Sequence, residues 1–265
     1  GIFNYLEADS DNDGCIDIIE AGYSDANSDG VVGDELTPIF NANGTVLSTS
    51  GYGVPNNDYT INAVINIVTQ PQDITVCELQ TAVFSITTNP VNSYQWQIST
   101  DGGITWTDLS NDATYSGVTT ANLTVSNASP TMAGFQYRVL LFKNGNACGL
   151  YSNAAILTTY PLTVVASSIG LVQCDDDTDG IFDVNLTVNN NFISANYLNE
   201  TFTYYTTILG AMNADSSVLI TNPLAYNTAT TTVYVRVENS NGCFSLCNIN
   251  VYVSATQIPA STLFP

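Results

Sequence analysis

From residue 63 onward, the sequence is a succession of short runs rich in β-branched and aromatic residues, separated by turn residues. The first set occupies residues 63–68, 82–86, 94–98, 122–125 and 136–140, and the second occupies 162–165, 181–186, 201–205, 232–237 and 248–253. Within 232–237, Val233, Val235 and Val237 alternate with Tyr234 and Arg236, as in a strand with one buried face. This spacing predicts an all-β fold of two tandem β-sandwiches, with one short helix at residues 16–21.

Composition restricts the partners that the chain is expected to have. Hydrophobic residues make up 45% of the chain and charged residues 10%, so we expect a folded protein. Acidic residues number 24 against 3 basic ones, and the resulting net charge of -21 would repel nucleic acid and anionic lipid surfaces. No long apolar run is present, so direct membrane insertion is not expected. The N-terminus lacks the features of a signal peptide, and any export signal is expected to lie outside this segment.

Many of the carboxylates are concentrated in three short loops, of which the first is the most complete. Ca²⁺ takes about six to eight oxygen ligands, and a twelve-residue loop of the EF-hand type supplies them from positions 1, 3, 5, 7, 9 and 12, with glycine at position 6. With Gly14 at the sixth position, these ligand positions fall on Asp9, Asp11, Asp13, Cys15, Asp17 and Glu20, Cys15 acting through its carbonyl. We therefore predict that Ca²⁺ binds in this loop.

The second and third loops follow the same order with gaps. The second offers Asp25, Asn27, Asp29 and the carbonyl of Val31, and Asp34 or Glu35 is expected to compensate for Gly33 at the ninth position. The third offers Asp175, Asp177, Asp179, the carbonyl of Ile181 and Asp183. Its twelfth position is Leu186, so a further ligand must come from elsewhere in the fold or from water. Calcium is predicted for both loops.

Six cysteines allow fifteen complete pairings, among which the sequence alone does not choose. None lies in a Cys-x-x-Cys motif, and the chain has no histidine. A zinc site would then need clustered thiolates, so disulfides formed in an oxidising, extracellular compartment are the preferred interpretation.

These patterns divide the chain into five parts. Residues 1–36 are the acidic repeats, and residues 37–62 are a linker or a docked loop. Residues 63–160 and 161–256 are the two predicted sandwiches, the second carrying the third acidic loop. Residues 257–265 are expected to lead into a further domain, because they are similar to the segment that precedes the third loop.

The acidic repeats and the first sandwich each resemble a known family. The stretches 9–20 and 25–34 resemble thrombospondin type 3 repeats, which implies that bound calcium stabilises a segment with little hydrophobic core. Residues 63–160 resemble a bacterial immunoglobulin-like domain, with Trp96 placed as the core tryptophan of strand C and Tyr137 as the tyrosine of the tyrosine corner. Phe84 and Val139 stand where antibody domains carry their inter-sheet cysteines.

The inter-sheet bridge of antibody domains is therefore excluded, and we predict two other disulfides. Cys77 is expected to pair with Cys148, and Cys174 with Cys243. Cys15 and Cys247 are left free, paired with each other or bonded to chain outside this segment.

The first sandwich, with its hairpin at residues 99–106, resembles domains of very large Bacteroidetes surface proteins, including gliding-motility-associated adhesins exported by the type IX secretion system. The third region, with its segments 174–180, 235–239 and 242–243, resembles a repeat of the same proteins. The resemblance implies cell adhesion, an extracellular or cell-surface location, and neighbouring domains of the same long chain as partners. Surface glycans or proteins are further candidate partners. The scattered tyrosines either form sugar-stacking platforms or are half-buried sheet residues: Tyr23, Tyr52, Tyr59, Tyr115, Tyr151 and Tyr226.

An enzymatic function has little support in the sequence. Without histidine, nucleophiles activated by histidine and zinc held by histidine are excluded. The acidic residues outside the loops show no pairing of the kind that a glycosidase needs. We therefore expect a non-catalytic, calcium-stabilised structural or adhesive segment; the alternative is a carbohydrate- or protein-binding accessory region of a secreted hydrolase.

Overall fold

The computed structural model describes residues 9–23, 25, 60–175 and 179–254. The chain forms two compact units, Gly1–Thr159 and Tyr160–Pro265. Short strands dominate the described part of each unit, so the predicted all-β class is confirmed.

The first unit contains one short α-helix and eleven strands among its described residues. They are α1 (Asp17–Glu20), β1 (Ile67–Thr69), β2 (Ile74–Cys77), β3 (Ala82–Ser85), β4 (Thr87–Thr88), β5 (Ser93–Ser99), β6 (Thr107–Asp108), β7 (Tyr115–Ser116), β8 (Asn122–Val125), β9 (Gln136–Lys143), β10 (Asn146–Tyr151) and β11 (Ala155–Tyr160). A 3-10 helix spans Pro130–Met132.

Two sheets enclose the core of the first unit. One has the order β3-β8-β7, and the other has the order β2-β11-β9-β5-β6, with β10 also paired to β9. The pair β5 and β9 is antiparallel over seven residues, with Trp96 opposite Val139. A β3-β8 sheet packed on a sheet centred on β5 and β9 is the immunoglobulin-like arrangement that the sequence predicts.

The predicted key residues of this sandwich are buried. Trp96, Phe84, Val139 and Tyr137 have no exposed surface and belong to a single hydrophobic cluster. The rings of Phe84 and Tyr137 lie 4.8 Å apart, so apolar packing occupies the place of an inter-sheet disulfide. The hydroxyl of Tyr137 lies 3.4 Å from that of Tyr115 on β7.

The second unit has a smaller sandwich and more helix. Its elements are β12 (Ser168–Cys174), β13 (Phe182–Val184), α2 (Asn190–Ile193), β14 (Thr201–Tyr205), α3 (Ile208–Asn213), β15 (Tyr226–Thr228), β16 (Thr231–Glu238) and β17 (Phe244–Ser254), with 3-10 helices at Leu186–Asn189, Tyr197–Asn199 and Ser216–Val218. A four-stranded sheet has the order β12-β17-β16-β14, and β13 pairs with β15. Alternate residues of β16, Val233, Val235 and Val237, are fully buried, as the alternation predicts.

Two expectations for the second unit are wrong. Residues 162–165 form no strand; β12 begins at Ser168 and runs parallel to β17. Val164 is 87% exposed, whereas Val165 packs against the core of the second unit, so the run does not alternate as a strand would. Helices α2 and α3 were not predicted, because each is shorter than the repeat needed to reveal helical periodicity.

Candidate metal centre

The carboxylates of Asp9, Asp11 and Asp13 converge in the first acidic loop. One oxygen of each lies within 4.8 Å of the others. Asp13 is buried, and the other two are partly buried, so solvent screens their mutual repulsion only weakly. Such an arrangement is favourable when a cation is shared among the three groups.

Backbone N–H groups hold this loop in shape. Gly14 N–H donates to Asp9 Oδ2 at 3.0 Å, and Cys15 N–H donates to Asp13 Oδ1 at 2.9 Å. Gly14 has a φ of +93°, which residues with a Cβ rarely adopt. The order Asp-x-Asp-x-Asp-Gly therefore makes the chain turn around its own carboxylates.

Glu20, at the twelfth position, is the most unusual group in the loop. Helix α1 follows the turn and places Glu20 with 0% of its surface exposed. In the part of the chain that the structure describes, neither Oε1 nor Oε2 has a hydrogen-bond partner. Burial raises the pKa of Glu20 to about 8, and the nearby aspartates, of which Asp13 has the largest effect, add to the shift. An unpartnered buried carboxylate is costly, and a bound cation would partner both oxygens.

Asp11 and Asp17 differ in how their carboxylates are satisfied. Both carboxylate oxygens of Asp11 are buried and have no partner within residues 9–23, 25, 60–175 and 179–254. Burial, followed by the charges of Asp13 and Asp9, raises the pKa of Asp11. Asp17 instead accepts hydrogen bonds from Ser10 N–H at 2.7 Å and Ser10 Oγ at 2.5 Å. This fits the ninth position of such loops, which often reaches the ion through a water molecule.

The first loop is attached to the first sandwich. A disulfide joins Cys15, at the seventh position, to Cys148 on β10. Ala63 N–H donates to Asp13 Oδ2 at 3.1 Å, and Asn62 Nδ2 donates to the carbonyl of Asp11 at 2.6 Å. The loop and the sandwich therefore share hydrogen bonds and a covalent link within one unit.

Little of the second loop lies within the described residues. Asp25 is there and is buried. The other predicted ligands lie outside them: Asn27, Asp29, Val31 and Asp34.

The third loop repeats the hydrogen bonds of the first. Gly180 N–H donates to Asp175 Oδ2 at 2.7 Å, and Ile181 N–H donates to Asp179 Oδ1 at 2.8 Å. Gly180 also has a left-handed φ of +84°. Asp183, on β13, accepts a hydrogen bond from Asn227 at 2.9 Å.

The third loop lacks the buried glutamate of the first. Leu186, at its twelfth position, has no exposed surface and is part of the hydrophobic core of the second unit. Asp177 lies outside the described residues.

Both predicted disulfide pairs are wrong. Cys148 is bonded to Cys15, because the acidic segment packs against β10 and brings the two Cα atoms within 5.5 Å. Cys174 is an exposed free thiol at the end of β12. Cys15 was not predicted as the partner of Cys148, although the sequence contained a signal. Cys15 was expected to offer its carbonyl to the interior of the loop, which directs its side chain away from the loop.

The remaining cysteines fall into two classes. Cys77 and Cys243 are each disulfide-bonded. Cys247 is a buried free thiol in the core of the second unit, and burial raises its pKa to about 11. A thiol in that environment is protonated and unreactive at neutral pH.

No helix among the described residues is long and apolar enough to span a membrane.

Two family models match the chain. Residues 170–259 match the Flavobacterium inter-domain disulphide bond domain, and residues 66–161 match a domain of unknown function, DUF8696. A search of curated proteins finds no significant match.

Solved immunoglobulin-type structures are similar to a part of the chain. The IG27 protein domain is 19% identical over 37% of this chain and 100% of its own, with a TM-score of 0.28. A chain of the titin M10–obscurin-like 1 complex is 19% identical over 38% of this chain and 97% of its own, with a TM-score of 0.30. The twitchin kinase region from C. elegans is 16% identical over 37% of this chain and 17% of its own, also with a TM-score of 0.30. Strand order and the buried core, rather than these scores, carry the fold assignment.

Proposed function

We propose that this chain is a non-catalytic, calcium-stabilised structural segment of a large secreted or cell-surface bacterial adhesin. The observation that carries the calcium proposal is Glu20, a fully buried carboxylate that has no hydrogen-bond partner among the described residues and lies next to three converging aspartates. Carboxylate and carbonyl oxygens in such number suit Ca²⁺, which accepts irregular geometry, better than Mg²⁺, which demands an octahedron.

Calcium would act on the first unit as a whole. Asp13 bonds both within the loop and to Ala63, and Cys15 is covalently joined to β10. Binding to the folded state alone adds stability of RT ln(1 + [L]/Kd), which is about 2.7 kcal/mol at 100 times Kd. Extracellular calcium would therefore stabilise both the acidic segment and the sandwich to which it is attached.

The test is calorimetric titration of the fragment with calcium, combined with thermal melts in calcium and in chelator. We expect binding with a raised melting temperature, and loss of the strongest site in Glu20→Gln. Glu200→Gln is the matched control, because Glu200 also has a buried oxygen without a partner but lies outside the acidic loops. Equal affinity in the wild type and Glu20→Gln would refute the first loop as a calcium site.

Two further oxidised cysteines support the oxidising compartment in this proposal. Cys77 and Cys243 are each disulfide-bonded, and the family that matches residues 170–259 is described by an inter-domain disulfide. Peptide mapping without reductant tests this: we expect both residues in cross-linked peptides, and a free thiol at either one contradicts it.

The adhesin part of the proposal draws on other support. A family described from Flavobacterium matches the second unit, and the disulfides indicate an oxidising compartment. Both fit the domain arrangement of Bacteroidetes gliding-motility adhesins carried by type IX secretion. Surface labelling of cells with an antibody against this fragment, with and without an intact secretion system, tests location and route.

A further inference from the structure

Arg138 lies on the outer face of the larger sheet of the first unit, between two aromatic rings. Its guanidinium carbon is 4.2 Å from the centroid of Trp106 and 4.0 Å from that of Tyr151. Tyr151 ends β10, on one side of β9, whereas Trp106 precedes β6, beyond β5 on the other side. The guanidinium therefore contacts one ring from each side of β9.

The three basic side chains of the protein are used differently. Arg236 stacks on Phe244, forms a salt bridge with Glu238 and donates to the carbonyl of Met212 at 3.2 Å. Lys143 Nζ donates to the carbonyl of Val64 at 3.1 Å. Both serve the packing of their own unit.

The terminal nitrogens of Arg138 form no hydrogen bond within the described residues. Only its Nε forms a hydrogen bond among the described residues, to Gln97 Oε1 at 2.8 Å. The two terminal nitrogens, Nη1 and Nη2, have no acceptor among the described residues, and they are not buried. Gln97 in turn donates to Asp108 at 2.7 Å, which separates that carboxylate from the guanidinium. The guanidinium is thus held in one orientation with a charged pair of donors facing solvent.

The chemistry of the surroundings restricts the ligand. A planar pair of N–H donors suits a carboxylate, which it binds through two parallel hydrogen bonds. Tyr151 is 47% exposed, and its hydroxyl has no hydrogen-bond partner among the described residues, so it can bond to a ligand hydroxyl. The net charge of -21 repels polyanions, so an isolated carboxylate within an otherwise neutral molecule is favoured.

We propose that Arg138, Trp106 and Tyr151 form a binding site for a carboxylated sugar. Arg138 binds the carboxylate, Tyr151 binds a neighbouring hydroxyl, and the exposed edges of the two rings contact the apolar C–H surface of the sugar. This site is independent of the calcium proposal, because it uses none of the acidic-loop residues.

The protein contains an internal reporter for this site. It has two tryptophans. Trp106 lies in the site, and its indole N–H donates to the carbonyl of Gly103 at 3.1 Å; Trp96 is fully buried and donates to Thr120 at 2.9 Å. Nitrogen-15 correlation spectra therefore give one indole signal from the site and one from the core as a reference.

The probes are glucuronic acid, glucose, acetate and a blocked glutamate, titrated into the labelled fragment. We expect glucuronic acid to shift the Trp106 signal in a saturable manner while Trp96 stays fixed, and glucose to have no effect. A response to acetate or blocked glutamate as strong as that to glucuronic acid would overturn the sugar assignment. No saturable response to glucuronic acid would overturn the site itself.

Variants distinguish the planar pair of N–H donors from the positive charge. Arg138→Lys keeps the charge and loses the planar pair of donors, and we expect about 10- to 100-fold weaker binding of glucuronic acid. Lys143→Gln removes one charge from the same strand and should leave binding unchanged. Tyr151→Phe should weaken it about two- to tenfold. If Lys143→Gln weakens binding as much as Arg138→Lys does, only general electrostatics operates and the proposal is wrong.

Discussion

The first and third acidic loops share one backbone design but differ in what completes it. In both loops, the N–H of the glycine donates to the aspartate at position 1, which is Asp9 or Asp175. The N–H of the next residue donates to the aspartate at position 5, which is Asp13 or Asp179. The first loop then adds a buried glutamate and a disulfide at its seventh position. The third has a core leucine and an exposed isoleucine at those positions.

The comparison indicates that forming the turn and forming a metal site have different requirements. Local hydrogen bonds suffice to curl an Asp-x-Asp-x-Asp-Gly sequence, as the third loop illustrates. Strong binding also needs a ligand that closes the coordination sphere and a rigid attachment. We therefore expect the first loop to bind calcium more tightly than the third.

Removing the disulfide should have the largest effect. Cys15→Ser with Cys148→Ser is expected to cost the first unit about 3 to 5 kcal/mol of unfolding free energy, because the bond closes a long loop. Hydrogen exchange measured by mass spectrometry reports each unit separately, and protection should fall in β9 and β10 but not in β16. Cys174→Ser, which removes an exposed free thiol, is the control and should change neither unit.

Glu20→Gln should have the next largest effect. We expect the tightest calcium affinity to fall about 100-fold, or about 2.7 kcal/mol, since a charged ligand in a buried position is replaced by a neutral one. Calorimetry of the variant should then show only the weaker sites. A retained tight site would mean that the two loops do not differ in the way proposed.

The two loops should also differ in pH dependence without calcium. Because the pKa of Glu20 is raised from 4.5 to about 8 in the folded state, the folded protein holds a proton that the unfolded chain releases. In chelator, the stability of the first unit should fall as pH rises from about 4.5 to about 8. Melts across this range check the slope, which should largely vanish in Glu20→Gln and in saturating calcium.

The smallest effect is expected in the third loop. Asp175→Asn keeps an oxygen that accepts from Gly180 N–H and removes one charge, so the turn should persist. In millimolar calcium, the second unit should lose less than about 1 kcal/mol, whereas Asp9→Asn should affect the first unit more. A larger loss for Asp175→Asn would reverse the ranking of the two loops.

The sequence by itself determined the parts of this protein that depend on near neighbours. Turn chemistry acts over about five residues, so the curl around Asp9 and around Asp175 follows from the order of aspartates and glycine. The strands follow from alternation, as in Val233, Val235 and Val237, and Trp96 and Tyr137 are buried where the immunoglobulin-like pattern placed them.

The tertiary structure decided the contacts between distant parts of the chain. Cys15 and Cys148 are separated by 133 residues, and only the packing of the acidic segment on β10 makes them neighbours. The same holds for the buried, unpartnered state of Glu20 and for the stacking of Arg138 between Trp106 and Tyr151. Disulfide partners, solvation and unused hydrogen-bond donors depend on which surfaces meet in space, and that information is not contained in local sequence.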